Sequence, residues 1–292
     1  MNHENQITGA SYAAIQHHYD VSNEFYQTWL DPELVYSCAL WEEGDTLDTA
    51  QIRKLDYHIQ EAKAVNAAKV LDIGCGWGGL MQRMVTSHGV NEVVGLTISL
   101  EQAKWVKQKN IKNATVRLES WEEHDTPQPY DAIISIGAFE HFAKPGMSVQ
   151  DREAGYRKFF EKCHSLLAQG GCLSLQTIAC GNMLREDFSK FFETEIFPES
   201  DLPRISEIFN ASEFLFEPIK LRNDASDYTK TVKEWKANLK RNREIAILHS
   251  SSEVVSRYEK YFNLVLISFE ALKTMYLYRV TLKKIDKPRK FI

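Results

Sequence analysis

A chain of 292 residues, 43% hydrophobic and 11% aromatic, is long enough to bury a full core. Its formal net charge of −5 lacks the basic excess by which dedicated nucleic-acid binders neutralise phosphates, so DNA and RNA are not expected partners. The longest apolar runs, such as Phe262-Asn263-Leu264-Val265-Leu266-Ile267, fall far short of the roughly 20 residues a membrane-spanning helix needs.

The first stretch, MNHENQITGASY, has neither a positively charged start nor an apolar run, which speaks against a secretory signal and for a cytoplasmic location. Residues 1–66 read as an N-terminal helical lid. Within it SYAAIQHHYD is expected to form a helix over a ligand, with Tyr12 and Tyr19 as lid candidates, and Ile52, Leu55, Ile59 and Ala62 recur at helical spacing.

From residue 67 the period changes. KVLDIG (69–74), EVVGLTI (92–98), ATVRLE (114–119), YDAIISIG (130–137) and GCLSLQTI (171–178) are short aliphatic runs separated by helical segments around 79–87, 100–110 and 151–168. Strands alternating with helices predict right-handed crossovers and an α/β fold with a mostly parallel sheet, whose ligands bind at the carboxyl ends of the strands. After residue 178 the pattern turns helical, through PRISEIFNA, DYTKTVKEWKANLKRNREIA and SSEVVSRYEKYFNLVLISFEAL, before a last strand in TMYLYRVTLKKI. The domain at 67–292 is thus expected to carry a helical cap insertion at about 185–270. The tail LKKIDKPRKF sets Lys283, Lys284, Lys287, Arg289 and Lys290 together, a cluster that either stays solvated or touches anionic head groups at a membrane surface. Cys38, Cys75, Cys163, Cys172 and Cys180 are odd in number and form no CxxC pair, which fits reduced thiols better than disulfides or a zinc site.

The chemistry concentrates at the strand ends. LDIGCGWGG places Asp72, Gly74 and Gly76 between the first sheet strand and a helix, where glycines tolerate positive φ and the helix start offers free N–H groups. A dinucleotide fold wants an acidic residue about 20 positions on. Here the second strand ends GLTISLEQ, with Thr97, Ser99 and Gln102 instead, which favours an adenosyl group over a nicotinamide cofactor. At the end of the fourth strand, IGAFEHF puts Glu140 and His141 where burial penalises charge.

LDIGCGWGG followed by VVGLTISLEQA resembles the class I S-adenosylmethionine-dependent methyltransferases, and more narrowly the cyclopropane fatty acid synthase and mycolic acid cyclopropane synthase family. HHYDVSNEFYQTWLDPELVYSCALW at 17–41, SIGAFEHF at 135–142, EIFPESDLP at 195–203 and DYTKTVKEW at 227–235 carry the same resemblance, in order, over most of the chain from residue 17 onward. It implies a Rossmann-like, mostly parallel seven-stranded sheet, S-adenosylmethionine as cofactor, and a cofactor site lined by Tyr36, Ser37, Asp72, Gly74, Gly76, Thr97, Gln102, Trp121, Glu122 and Ile136. Gln102 then suits ribose hydroxyls, Glu122 the adenine amino group beside Trp121, and Ile136 the ring face.

The resemblance further implies an alkene carbon as methyl acceptor, in an unsaturated acyl chain or prenyl-like group, giving a cyclopropane or C-methylated product. In that pattern Glu140, the Cys38 backbone, a strand-five imidazole, the Ile178 carbonyl and Tyr228 hold a bicarbonate that takes the proton, while His141 shapes the wall. This chain departs at one place. Its strand five reads SLQTIAC, with Gln176 where the family carries His, and glutamine neither titrates nor carries charge, which puts bicarbonate in doubt. Two other readings stand beside this one: methylation of an amine nitrogen in a small metabolite, and a non-catalytic adenosyl-binding module. The acceptor's size and a homo-oligomeric state are left open.

Overall fold

The computed structural model describes residues 11, 21–187, 189–196 and 198–288. The expected helix with Tyr12 and Tyr19, and the basic residues Arg289 and Lys290, lie outside them.

The N-terminal part holds two helices, α1 (Asn23–Gln27) and α2 (Leu47–Glu61). Helix α2 starts at a reciprocal cap: Thr46 N donates to Thr49 Oγ1 at 2.9 Å and Thr49 N to Thr46 Oγ1 at 3.3 Å. Residues 28–46 are turns, bends and irregular backbone, so within the expected helical lid this stretch is corrected. The periodicity is corrected too. Ile52 is 38% exposed, while Gln51, Lys54 and His58 share the buried face with Leu55 and Ile59.

The α/β unit follows as β1 (Lys69–Ile73), α3 (Gly79–Ser87), β2 (Glu92–Thr97), α4 (Leu100–Lys109), β3 (Ala114–Leu118), β4 (Tyr130–Ile136), α5 (Val149–Leu166) and β5 (Leu167–Cys180). Then come α6 (Ile205–Ser212), β6 (Phe216–Asn223), α7 (Ala225–Arg241), α8 (Arg243–Leu248), α9 (Ser252–Leu266) and β7 (Met275–Lys284). The seven strands lie in the order β3-β2-β1-β4-β5-β7-β6, parallel from β3 to β5, with β7 antiparallel to both neighbours. This is the class I methyltransferase sheet.

Strand β6 interrupts the span 185–270 that reads as one helical cap. Its sequence, FEPIKLRN, hides it: it is an edge strand, largely exposed, with Pro218 at a register shift and charges at Glu217, Lys220 and Arg222. Lys284 belongs to β7, where its Nζ donates to the Leu167 carbonyl at 2.6 Å, so it is not part of a loose basic tail. Among the described residues no helix is long and apolar enough to cross a membrane.

The core has three parts. Val70, Ala132 and Ile134 pack one face of the sheet with Met81, Met84, Leu55 and Ile59 from α3 and α2. Phe159, Phe160 and Tyr156 of α5 cover the other face around Phe139. The third part joins α1 to α7 and α9 through Phe25, Trp29, Trp235, Tyr258 and Phe262, and so roofs the carboxyl ends of the strands.

Candidate active site

The turn after β1 is bound to β2, since Gly74 N and Cys75 N both donate to the Leu96 carbonyl at 2.9 Å. Gly74 has φ +81°, and a Cβ there would stand 2.6 Å from that of Ala138 in the turn after β4. Only glycine lets these two loops approach so closely. Gly74→Ala is therefore expected to lower the affinity for S-adenosylhomocysteine by at least about 10-fold, read by calorimetry.

At the end of β2, Thr97 Oγ1 donates to Gln102 Oε1 at 2.8 Å, and Ser99 Oγ caps α4 by accepting from Gln102 N at 3.3 Å. That leaves the Gln102 amide NH₂ as a donor beside the loop. After β3, Ser120 Oγ accepts from Glu122 N at 3.2 Å, and Trp121 is wedged against Phe142 and Phe159, ring centroids 5.2 and 5.4 Å away.

These turns enclose a cleft of about 1240 Å³ of atom-free space. Tyr36, Ser37, Asp72, Gly74, Gly76, Thr97, Gln102, Trp121, Glu122 and Ile136 all line it, so every expected cofactor residue converges there. Asp72 Oδ2 is buried with no hydrogen-bond partner among the described residues. Burial raises its carboxyl to about 7, with Lys54 pulling the other way. A cleft with backbone turns at positive φ, an amide donor at the β2 tip and an unmatched carboxyl fits S-adenosylmethionine, which brings ribose hydroxyls and an ammonium group.

A second cavity, about 620 Å³, adjoins the first and shares Tyr36, Ser37, Gly137 and His141 with it. Glu140, Cys38, Gln176, Ile178 and Tyr228 line it, together with Ser200, Leu202, Tyr261 and Leu277. Glu140 sits in the short 3-10 turn Phe139–His141. Its Oε1 accepts from Ile178 N at 2.6 Å, while Oε2 is buried with no partner among the described residues. Burial raises this carboxyl to about 7, against the pull of the Ile178 amide. The neighbouring His141 bonds Ser200 Oγ through Nδ1 at 2.7 Å, and burial lowers it to about 4, so it is neutral at pH 7.

The departure at Gln176 has a structural context. Its Oε1 accepts from Arg279 Nε at 2.8 Å and lies 3.2 Å from His58 Nε2, and its Nε2 donates to the Cys38 carbonyl at 3.3 Å. Arg279, fully buried, stands opposite Gln176 in the β5–β7 register and also reaches the Ala39 carbonyl at 2.9 Å, the Cys38 carbonyl at 3.3 Å and Asp224. The Cys38 thiol, pushed up to about 12 by burial, is no nucleophile. The Ile178 carbonyl, expected to face an anion, accepts instead from Thr177 Oγ1 at 2.9 Å. No lysine or arginine is among the described residues lining this cavity, and Gln176 brings no charge to balance a bicarbonate beside Glu140.

Sequence reasoning missed Lys54, His58, Arg279, Tyr261 and Ser200. For the first two a signal existed: Gln51, Lys54 and His58 interleave with Leu55 and Ile59 at helical spacing, a polar stripe on an apolar face. Gln51 Nε2 donates to the carbonyls of Val35 and Ser37 at 3.0 and 2.9 Å, clamping the loop that carries Tyr36 and Ser37.

The family model described as mycolic acid cyclopropane synthetase matches residues 6–279. Cyclopropane mycolic acid synthase 1 of Mycobacterium tuberculosis is 38% identical over 270 residues, covering 86% of this chain and 90% of that protein. Among solved structures, the cyclopropane synthase MmaA2 from Mycobacterium tuberculosis superposes with a TM-score of 0.85 at 32% identity, over 94% of this chain and 99% of its own. Mycolic acid cyclopropane synthase CmaA1, complexed with SAH and CTAB, does so with a TM-score of 0.84 at 34% identity and the same coverage, 94% and 99%. The chain therefore belongs to the mycolic acid cyclopropane synthetase family, and is an enzyme, an S-adenosylmethionine-dependent methyltransferase of the cyclopropane synthase-like kind.

Proposed function

We propose that this enzyme methylates an alkene carbon of a hydrophobic acceptor, an unsaturated acyl chain or prenyl-like group, and that Glu140 itself receives the proton released as a cyclopropane or C-methylated product forms. The observation that carries the reading is the unpartnered Glu140 Oε2, buried in a chamber that adjoins the cofactor cleft. When bound, S-adenosylmethionine supplies an electrophilic methyl group.

The chain supplies three other things. Tyr36, at the wall between the two cavities, packs tilted or edge-on against Tyr26, Trp29 and Trp235, ring centroids 5.6, 5.2 and 5.4 Å away, so an aromatic wall meets a developing cation and water is kept out. Ile178, Leu202 and Leu277 offer apolar surface to a chain-like acceptor. Glu140, raised to about 7, is poised as a general base near neutral pH. The relative CmaA1 was solved with CTAB, a long-chain amphiphile, which supports an elongated apolar acceptor.

Purified enzyme with methyl-labelled S-adenosylmethionine is expected to label unsaturated acyl or prenyl lipids, with a rate unchanged by added bicarbonate. Labelling of amines with no labelled lipid would replace this reading with N-methylation.

A further inference from the structure

Helix α2 buries a lysine completely. Lys54 is 0% exposed, sits among the residues lining the cofactor cleft, and has no carboxylate within ion-pair distance among the described residues. Among the described residues its hydrogen bond runs from Nζ to Ser37 Oγ at 2.8 Å. A buried ammonium without a paired anion is costly, and native proteins rarely keep one unless something else meets it.

All but one of the groups facing Lys54 are otherwise committed, the exception being Asp72. Asp31, on the loop after α1, spends its two oxygens on the amides of Glu33 and Val35, both at 3.0 Å. Arg279 of β7 has the same sign as Lys54 and is held by Asp224, and the Cys38 thiol is protonated at neutral pH. His58, one turn along α2, is kept neutral by burial and by Arg279 and Lys54. Asp72 of β1 faces the same cleft with an unmatched oxygen. Burial lowers Lys54 to about 7, against the opposing pull of Asp31.

The hydrogen-bond direction then matters. An ammonium can only donate, so Ser37 Oγ accepts from Lys54 and the serine's own hydrogen turns elsewhere. Ser37 lines the cleft and its neighbouring chamber, so that hydrogen is available to an anion entering the cleft. The bound donor carries one anionic group, the carboxylate at its amino-acid end.

We propose that Lys54 is the counter-cation of the carboxylate of bound S-adenosylmethionine, acting through the Ser37 hydroxyl, and so places the amino-acid end of the cofactor. Lys54 is a positioning residue. Asp72 faces the ammonium of the same zwitterion, so the two buried groups of opposite charge meet the two charges of one amino-acid end. The inference rests on the cofactor and not on the acceptor.

The test compares two ligands by calorimetry: S-adenosylhomocysteine, which has the carboxylate, and 5′-methylthioadenosine, which lacks the amino-acid end. Lys54→Met, which removes a buried charge while keeping most of the volume, is expected to bind S-adenosylhomocysteine about 10- to 100-fold more weakly and 5′-methylthioadenosine within about 2-fold of the parent. Ser37→Ala is expected to show the same split, with a smaller loss. In buffers of different ionisation enthalpy at pH 7, the protons taken up on binding S-adenosylhomocysteine should fall by about half a proton in Lys54→Met, because binding completes the charging of a group near half-protonation. Equal losses for both ligands, or an unchanged affinity for S-adenosylhomocysteine, would overturn the proposal. Failure of the parent protein to bind either ligand would instead overturn the cofactor assignment.

Discussion

Replacing Glu140 by glutamine is expected to lower kcat by about 10²- to 10⁴-fold, the usual contribution of a positioned base, with little change in cofactor affinity. The substitution is close to isosteric. A glutamine oxygen can still accept from Ile178 N, now made at 2.6 Å, while an amide that cannot take a proton replaces the unpartnered Oε2. In the parent enzyme, kcat should rise through a limb near pH 7, where the buried carboxyl ionises, and that limb should be missing from Glu140→Gln.

The same group makes a prediction about stability, with a definite sign. Its carboxyl is raised from the ordinary 4.5 to about 7 in the folded protein, so the folded state holds the proton more tightly than the unfolded chain. Its contribution to stability is full below about pH 4.5, declines as pH rises from there to about 7, and is lost above. Glu140→Gln escapes this decline. Above pH 7 it is expected to be more stable than the parent by up to about 3 kcal/mol, measured as the difference between denaturant midpoints at pH 5 and pH 8. An inactive but stabilised variant is the signature of a group whose burial serves chemistry. Loss of both activity and stability would mark Glu140 as a structural carboxylate.

Arg279→Met is expected to destabilise the fold by about 3–5 kcal/mol, the cost of removing one partner from a buried charge network. The guanidinium binds Asp224, Gln176 Oε1, and the carbonyls of Cys38 and Ala39, which come from β5, the loop before α2 and the start of α7. Removing it leaves the Asp224 carboxylate with Arg222 alone, at 3.0 Å, and leaves Gln176 Oε1 and two buried carbonyls short of a donor. The double variant Arg279→Met/Asp224→Asn should therefore recover part of the loss, and urea unfolding of the single and double variants reads that coupling. The Cys38 and Ala39 carbonyls adjoin Tyr36 and Ser37, so the single variant should also bind S-adenosylhomocysteine more weakly. An unaltered unfolding midpoint would show that the network carries no net stability. Arg279 also explains how Gln176 is accommodated: an imidazolium in that place would face a guanidinium, whereas an amide offers it an oxygen 2.8 Å away.

Much of the site was legible because it is local in the chain. Glycines at positive φ after β1, a threonine and glutamine at the tip of β2, a tryptophan and glutamate after β3 and a glutamate after β4 each follow their own strand by a few residues. A parallel sheet brings the carboxyl ends of its strands to one edge, so naming the strands already places those residues together. The nearness of Glu140 to Ile178 follows from the same geometry, because β4 and β5 are neighbours, although the contact is to the Ile178 amide and not to its carbonyl.

The residues that stayed hidden depend on partners far along the chain. Gln176 and Arg279 are 103 positions apart and meet only because β7 runs antiparallel to β5 in one register. Lys54 and His58 form with Gln51 a polar stripe whose burial, like the exposure of Ile52, shows only once α2 docks. Strand β6 lacks the apolar run that marks a central strand because it lies at the edge, where water satisfies one side.

The sequence by itself determined the parallel part of the sheet, the cofactor turns and the acid at position 140, since strand period, glycine freedom and strand-end position are properties of a few consecutive residues. The tertiary structure alone decided which ionisable side chains are buried. Desolvating Lys54, His58 or Arg279 is tolerable only beside particular groups delivered by other elements, and no local pattern encodes those neighbours.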